Sequence, residues 1–224
     1  MAAQARTTRR TFLAHTLALG AAGLAAGQVR SQGTGQTLAA SSADAWQIGI
    51  YTRPWSKYEY PVALDAIAEA GYKYLGLMTI KSKNGVVISA DSTVEEARKV
   101  GEEAGKRGLK IVSVYGGSFP VDKKSIEPGI LGLKRLIDNV AACGGRSLLL
   151  GGIGKPDQEE RYYKTIAECC GYAVEKKVTI TLKPHGPLNA TGRECRDRWQ
   201  QVGKKGFRIW YDPGNVLYYS DGKL

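Results

Sequence analysis

The chain has 224 residues, of which 43% are hydrophobic and 24% are charged. This composition is typical of one globular domain with a substantial core, and it argues against a largely disordered chain. The formal net charge is +11, and it falls to +8 when residues 1–45 are left out. Because the basic residues are scattered along expected helices, we interpret them mainly as solvated helix faces. Binding of an anionic substrate or of nucleic acid is the alternative.

The first 45 residues have the features of a targeting segment. Thr8-Arg9-Arg10-Thr11-Phe12-Leu13 resembles the twin-arginine export motif, and a weakly hydrophobic, Ala/Gly-rich run follows. Such a run is too short and too rich in glycine to span a membrane stably. We therefore assign residues 1–45 to a signal peptide and linker, and expect the twin-arginine machinery to export the folded protein to the periplasm or the medium. A disordered basic N-terminus with a chance Arg-Arg pair is the alternative.

From residue 46 onward, short hydrophobic strands alternate with helical segments. Ser92 and Glu95 have the spacing of a capping box at the start of the second helix. Since a helix separates each strand from the next, we expect parallel neighbours joined by right-handed crossovers. The predicted strands are 46–52, 72–79, 109–115, 147–150, 178–183 and 207–211, and the predicted helices are 61–70, 93–107, 127–143, 158–176 and 192–202.

This alternation fits either an open doubly wound sheet or a closed barrel. The first strand ends in Tyr51-Thr52-Arg53-Pro54-Trp55 and not in a Gly-x-Gly-x-x-Gly turn, which disfavours a dinucleotide-binding sheet. We therefore predict an α/β fold of the (β/α)₈ TIM-barrel type over residues 46–224. Such a barrel usually takes about 250 residues. We accordingly expect six of the eight strands here, in a C-terminally incomplete copy of a longer protein.

The four cysteines have no metal-ligand spacing, and two of them are neighbours on a predicted helix, where they cannot easily bridge to each other. We expect all four to be reduced helix residues: Cys143, Cys169, Cys170 and Cys195.

Polar residues are concentrated at the ends of the fifth and sixth strands. Side chains alternate along a strand, so Lys183 and His185 should face the barrel interior while Ile180 and Leu182 face the helices. On the sixth strand the same alternation points three residues inward: Arg208, Trp210 and Asp212.

A carboxylate, an ammonium and an imidazole at one barrel mouth can bind a metal, transfer protons or hold sugar hydroxyls. Each also has a structural interpretation. Lys183 and Asp212 can form an ion pair at the rim. Asp212-Pro213-Gly214-Asn215 has the composition of a turn, and His185, between proline and glycine, can be a hydrogen-bonding loop residue.

These strand ends resemble a known family. Leu182-Lys183-Pro184-His185-Gly186 and Tyr211-Asp212-Pro213-Gly214-Asn215, with Leu75-Gly76-Leu77-Met78 and Leu148-Leu149-Leu150-Gly151-Gly152, are similar to the sugar phosphate isomerase/epimerase group of the xylose isomerase-like TIM barrel superfamily. The resemblance covers Trp46 to the C-terminus. It implies a barrel whose mouth commonly binds a divalent metal such as Mn, Mg, Co or Zn.

The resemblance assigns Asp212 to the aspartate ligand at the end of the sixth strand. Lys183, Asn215 and Gly76 stand where members carry a glutamate, a histidine and another glutamate. An ammonium in place of a carboxylate removes a ligand and repels the cation, so a standard metal site is disfavoured. A site of Asp212, His185 and residues from further strands is the alternative. Without a metal, Lys183 can act as a base of lowered pKa, or stay charged and stabilise an enolate-like oxygen.

We therefore expect an exported enzyme similar to sugar isomerases and epimerases, which abstracts a proton next to the carbonyl of a carbohydrate or keto-sugar. Asp212 or His185 would be the acid/base group, and Lys183 would stabilise the oxygen. A lyase or hydratase acting on an oxidised glycoside, or a non-catalytic carbohydrate-binding barrel, is the alternative. Expected export and a single histidine outside the signal segment argue against a nucleic-acid enzyme. Candidates for contacting the sugar are Tyr51, Trp55, Tyr115, Trp210 and Asn215.

Overall fold

The computed structural model describes residues 47–220. The predicted signal peptide and linker, residues 1–45, lie outside the described residues, so that assignment stays a prediction. No helix among residues 47–220 combines the length and the apolar character that crossing a membrane requires.

Within residues 47–220, six parallel strands alternate with six α-helices; the sequence predicts all six strands and the first five of these helices. Each strand pairs with its neighbours in chain order, from β1 to β6. A short 3-10 helix, Arg53–Trp55, follows β1. The strands are β1 Gly49–Tyr51, β2 Tyr74–Leu77, β3 Lys110–Tyr115, β4 Ser147–Leu150, β5 Thr179–Leu182 and β6 Phe207–Ile209; the helices are α1 Tyr60–Glu69, α2 Val94–Lys106, α3 Glu127–Ala142, α4 Pro156–Glu175, α5 Gly192–Val202 and α6 Pro213–Tyr219.

The core lies between the outer face of the sheet and the helices. Alternate strand residues are fully buried there, among them Leu148 and Leu150 on β4 and Ile180 and Leu182 on β5. Burying one such side chain contributes about 1.5–3 kcal/mol to the free energy of folding. Helix α3 presents a matching apolar stripe at spacings of three and four residues, formed by Leu133, Leu136, Ile137 and Val140.

The inner face of the sheet carries paired polar groups. The Tyr51 hydroxyl donates to Ser113 Oγ at 2.9 Å, and Ser147 Oγ lies 3.1 Å from Thr181 Oγ1. The rings of Tyr51, from β1, and Trp210, after β6, meet edge to face with centroids 6.0 Å apart. The sheet therefore curves enough for residues of its first and last strands to meet across the interior.

The capping box of α2 lies one residue later than predicted. Thr93 Oγ1 accepts the Glu96 N–H at 3.1 Å, and the Glu96 carboxylate accepts the Thr93 N–H at 2.7 Å. Ser92 Oγ instead accepts the N–H of Ser89, within the preceding turn. Ser and Thr both suit an N-cap, so spacing alone does not choose between neighbouring pairs.

Asp212-Pro213-Gly214-Asn215 begins a helix, and the interpretation of this segment as only a turn is wrong. Asp212 is the N-cap of α6, and its Oδ1 accepts the Asn215 N–H at 3.0 Å. Pro213 occupies the first helical turn, where a missing N–H has no cost. An aspartate followed by a proline starts turns and helices alike, which explains the error.

All four cysteines are free and buried. Burial raises the pKa of each thiol to about 11, which favours the protonated, unreactive form: Cys143, Cys169, Cys170 and Cys195.

Candidate active site

A pocket of about 280 Å³ opens at the carboxyl ends of the strands. Because all six strands are parallel, these ends lie at the same end of the sheet. The structure brings Lys183, His185 and Asp212 together in the pocket lining. The other lining residues are Tyr51, Arg53, Met78, Leu149, Trp210, Asn215 and Tyr219.

Lys183 directly follows β5 and is only 8% exposed. Its N–H donates to the Leu150 carbonyl at 3.1 Å, so the backbone is held to β4. Burial lowers the pKa of its ammonium; the Asp212 carboxylate opposes this shift, and the Arg53 guanidinium adds to it. Lys183 and Asp212 form no ion pair with each other, so the rim ion pair considered from the sequence is absent.

His185 lies in the loop after β5, and its backbone N–H donates to the Asn189 carbonyl at 3.0 Å. Its Nε2 is 3.0 Å from the Tyr219 hydroxyl, so His185 does make a structural hydrogen bond. Burial lowers the pKa of the imidazole from 6.5, and the charge of Lys183 lowers it further. At neutral pH the ring is therefore uncharged and can accept a proton.

Asp212 follows β6 and has two roles. Its Oδ1 caps α6, while Oδ2 has no hydrogen-bond partner within residues 47–220. The pKa of Tyr51 rises to about 12, chiefly by burial, with Ser113 opposing and the Asp212 charge contributing. Asp212 lines the same pocket as Tyr51 and Lys183, so its negative charge lies in the pocket wall.

The five residues predicted to contact a sugar differ in position. Tyr51, Trp210 and Asn215 line the pocket. Asn215 is already engaged, because its Nδ2 donates to the Pro184 carbonyl at 2.7 Å and links α6 to the loop after β5. Tyr51 likewise is hydrogen-bonded to Ser113.

The other two candidates lie outside the pocket lining. Trp55, in the 3-10 helix, packs against the core. Tyr115 offers its ring to the Lys183 ammonium, with Nζ 5.9 Å from the centroid. Arg208, which alternation along β6 places on the inner face, pairs in register with Thr181; it is exposed and lines a groove with Thr179 at the amino ends of the strands. It therefore takes no part in the pocket.

Three residues of the site were not predicted. Arg53 lies just beyond the carboxyl end of β1, after Thr52, and this place near a strand end is the signal that could have found it. Tyr219 could be placed only after α6 was recognised. Asn189, fully buried, donates from Nδ2 to the carbonyls of Gly151 at 3.2 Å and Lys183 at 2.8 Å, and so ties the ends of β4 and β5 together.

The described residues do not fit a divalent metal centre. In this part of the chain no three Asp, Glu, His or Cys side chains form a cluster that could hold a metal ion. Of the two expected ligands, Asp212 caps a helix and His185 is bonded to Tyr219. The adjacent Lys183 ammonium would repel a cation.

The second strand shows a further steric reason. A Cβ on Gly76 would lie 2.7 Å from Cζ of Tyr51, with other atoms of that ring nearer still. The aromatic ring thus fills the space that a side chain at position 76 would need. A carboxylate at this position, which the resemblance would imply, has no room unless Tyr51 moves.

The comparisons with known proteins agree with this fold. The model of the xylose isomerase-like TIM barrel family matches residues 64–224. No curated protein matches the sequence. Solved structures with a similar fold include a D-psicose 3-epimerase in the presence of D-fructose, with 14% identity and a TM-score of 0.59 over 77% of this chain and 65% of that one.

Two further epimerase structures are similar. For an L-ribulose 3-epimerase the identity is 16% and the TM-score 0.57, over 76% of this chain and 62% of that one. For the 3-keto-D-glucoside 4-epimerase from E. coli, in its apo form, the identity is 14% and the TM-score 0.57, over 79% of this chain and 70% of that one. The chain thus spans less than two thirds of the length of the D-psicose and L-ribulose epimerases. At these identities the likeness shows the fold alone, whereas the family match extends over most of the sequence: the chain belongs to the xylose isomerase-like TIM barrel family.

Proposed function

We propose that this chain is an exported enzyme of the sugar isomerase/epimerase type, which removes a proton from a carbon next to the carbonyl of a carbohydrate or keto-sugar. The observation that carries the proposal is the convergence of Lys183, His185 and Asp212 on one pocket at the carboxyl ends of the strands. Active sites of this barrel architecture lie at that end.

The proposed reaction begins with proton transfer to a base. His185, whose pKa is lowered, is uncharged and able to accept, and Asp212 Oδ2 is the second acceptor. The electron pair of the broken C–H bond moves to the carbonyl oxygen and gives an enediolate. Return of a proton to the opposite face of the same carbon gives an epimer. Return to the former carbonyl carbon, with transfer of the hydroxyl proton to the former carbonyl oxygen, gives an isomer.

Lys183 would stabilise the developing negative charge. The residue is buried, so the electric field of its ammonium is screened less than that of a surface lysine. A preorganised cation at an enolate-like oxygen lowers the barrier because it interacts more strongly with the transition state than with the ground state. This role needs no metal ion, in keeping with the donor set of the pocket.

Two other observations support the sugar class and the export. A D-psicose 3-epimerase and an L-ribulose 3-epimerase share the fold. Export is supported by the Arg9-Arg10 motif in the part of the chain that lies outside the described residues. The twin-arginine machinery would accordingly be a transient partner, and the periplasm or the medium the place of action.

The test is proton exchange with solvent. Full-length protein is incubated in deuterated water with D-fructose, D-psicose or D-tagatose, and NMR follows loss of the proton on the carbon next to the carbonyl. We expect deuterium at that carbon with at least one keto-sugar, and none with the Asp212→Asn variant. A wild-type protein that exchanges no proton with any keto-sugar contradicts the proposal.

A non-catalytic carbohydrate-binding barrel is the second candidate. It is favoured because three polar residues of the pocket already form hydrogen bonds within the protein: Asn215 with Pro184, Asp212 with the α6 backbone and His185 with Tyr219. Saturation-transfer NMR on the same samples separates the two, since binding without exchange is the outcome that this candidate predicts. A lyase or hydratase would share the first step, and its unsaturated or hydrated product would be seen in the same spectra.

A further inference from the structure

The pocket carries an excess of positive charge. Arg53 and Lys183 are cations, and Asp212 is the only carboxylate among the lining residues that the structure describes. His185 adds no charge at neutral pH, because its pKa is lowered by burial and by Lys183. The lining therefore has a formal charge of +1 when the pocket holds only water.

Neither cation has a carboxylate partner in the described part of the chain. Lys183 is 8% exposed as a residue and lines the pocket, so its ammonium is partly removed from water. Proteins ordinarily pair a buried charge with an opposite one, because an unpaired buried ion is destabilising. The ring of Tyr115, with its centroid 5.9 Å from Nζ, is a weak substitute for an anion.

Arg53 lies at the β1 side of the same pocket. It has no side-chain hydrogen bond among residues 47–220, and its charge acts on both Lys183 and His185. A guanidinium presents two parallel N–H donors that match the two oxygens of a carboxylate. The pocket thus combines an unoccupied planar donor with a buried point charge.

We propose that the substrate of this pocket is a sugar acid: a monosaccharide carrying one carboxylate, which Arg53 binds through both oxygens beside Lys183. This inference rests on the proposed function for the sugar class and adds the charge of the substrate. The ammonium of Lys183 has three donors, so it can approach the carboxylate and still contact the reacting carbonyl oxygen.

Charge and size favour a carboxylate over a phosphate. One carboxylate neutralises the formal charge of +1, whereas a phosphate monoester carries about −1.5 to −2 at neutral pH and would leave a buried negative excess. The pocket volume of about 280 Å³ is at the small end of the roughly 300–1,000 Å³ typical of ligand sites. A single sugar ring suits that volume better than a longer saccharide.

The test compares three ligands of one ring size. Isothermal titration calorimetry on the full chain measures the affinity for D-glucuronate, D-glucose and D-glucose 6-phosphate. We expect glucuronate to bind at least about tenfold more tightly than glucose, the ordinary effect of one charge-assisted hydrogen bond. We expect the phosphate to bind no more tightly than glucuronate.

Two variants locate the effect. Arg53→Gln should abolish the preference for glucuronate over glucose, and Arg53→Lys should keep part of it. Lys57→Gln removes the same charge from an exposed lysine outside the pocket and should leave the preference intact. Equal affinity for glucuronate and glucose, tighter binding of the phosphate, or an unchanged preference in Arg53→Gln would overturn the inference.

These outcomes are independent of the proposed function. Proton exchange on a keto-sugar without any preference for a carboxylate leaves the enzyme assignment standing and rejects the sugar acid. Tighter binding of the carboxylate without any proton exchange supports the sugar acid as ligand and rejects the enzyme assignment.

Discussion

The hydroxyl of Tyr219 lies 3.0 Å from Nε2 of His185, and the centroids of the two rings are 4.7 Å apart. This contact joins helix α6 to the loop after β5. It holds the imidazole by one hydrogen bond and one ring contact, so the orientation of His185 in the pocket depends on the last residue of α6.

Tyr219 is therefore a positioning residue. Tyr219→Phe keeps the ring but removes the hydroxyl, so we expect the rate of proton exchange at saturating sugar to fall about tenfold while the free energy of unfolding changes by no more than about 1 kcal/mol. The Michaelis constant should change little. Kinetics and urea unfolding measure both effects. A variant that loses stability but keeps its rate would show that the contact serves only the fold.

The charge of Lys183 should be visible in the titration of His185. Lys183 lowers the pKa of the imidazole, because a neighbouring cation disfavours protonation. Removal of the cation in Lys183→Met should accordingly raise that pKa, as measured by NMR. The only other histidine, His15, is distinguished with a His185→Gln spectrum. The exposed Lys57→Met change is the control, and an unchanged pKa in Lys183→Met would mean that the two groups are not neighbours in solution.

Asp212 combines a structural and a proposed chemical role, and two substitutions separate them. Asp212→Asn keeps an oxygen that can cap α6, whereas Asp212→Ala removes it, which costs about 1 kcal/mol in the free energy of unfolding. Both remove the carboxylate, so both should reduce proton exchange by about 10² or more. Urea unfolding and deuterium incorporation test the pair. Activity in Asp212→Asn equal to that of the wild type would show that Asp212 caps α6 but takes no part in proton transfer.

Much of the fold could be predicted from the sequence because fully buried strands are short apolar runs with sharp boundaries. Ser147–Leu150 was predicted with the observed bounds, since Gly151 and Gly152 end the run. The first strand was predicted over residues 46–52 but is observed at Gly49–Tyr51, because it pairs on one side only, with β2. Helix α6 was missed, since Asp-Pro-Gly is also the composition of a turn.

The strand-end side chains of the pocket followed from alternation along β5 and β6, which places Lys183 and Asp212 on the interior side. The contacts that support these side chains could not be predicted in this way. Asn189 and Tyr219 are placed by loop and helix geometry that has no repeating pattern in the sequence. The exclusion of a side chain at Gly76 likewise depends on the ring of Tyr51, from a different strand.

The inference that the ligands of this pocket do not suit a divalent metal can be tested with a variant designed to bind one. Lys183→Glu replaces the repelling ammonium by a carboxylate that joins Asp212 and His185 at one pocket. We expect this variant to bind Mn²⁺ at least tenfold more tightly than the wild type, because a third ligand replaces an electrostatic penalty. Calorimetry with Mn²⁺ measures it. Lys57→Glu makes the same charge change outside the pocket, and equal Mn²⁺ affinity in wild type and Lys183→Glu would show that the lysine does not decide metal binding.

The central claim is that Lys183 and Asp212 act on one substrate in one chemical step. The most direct measurement is the rate of proton exchange from a keto-sugar in Lys183→Met, in Asp212→Asn and in the double variant. If each single change lowers the rate by about 10², residues that act as a unit should lose little more when both are changed. A double variant slower by the product of the two losses, or single variants as fast as the wild type, would contradict the account.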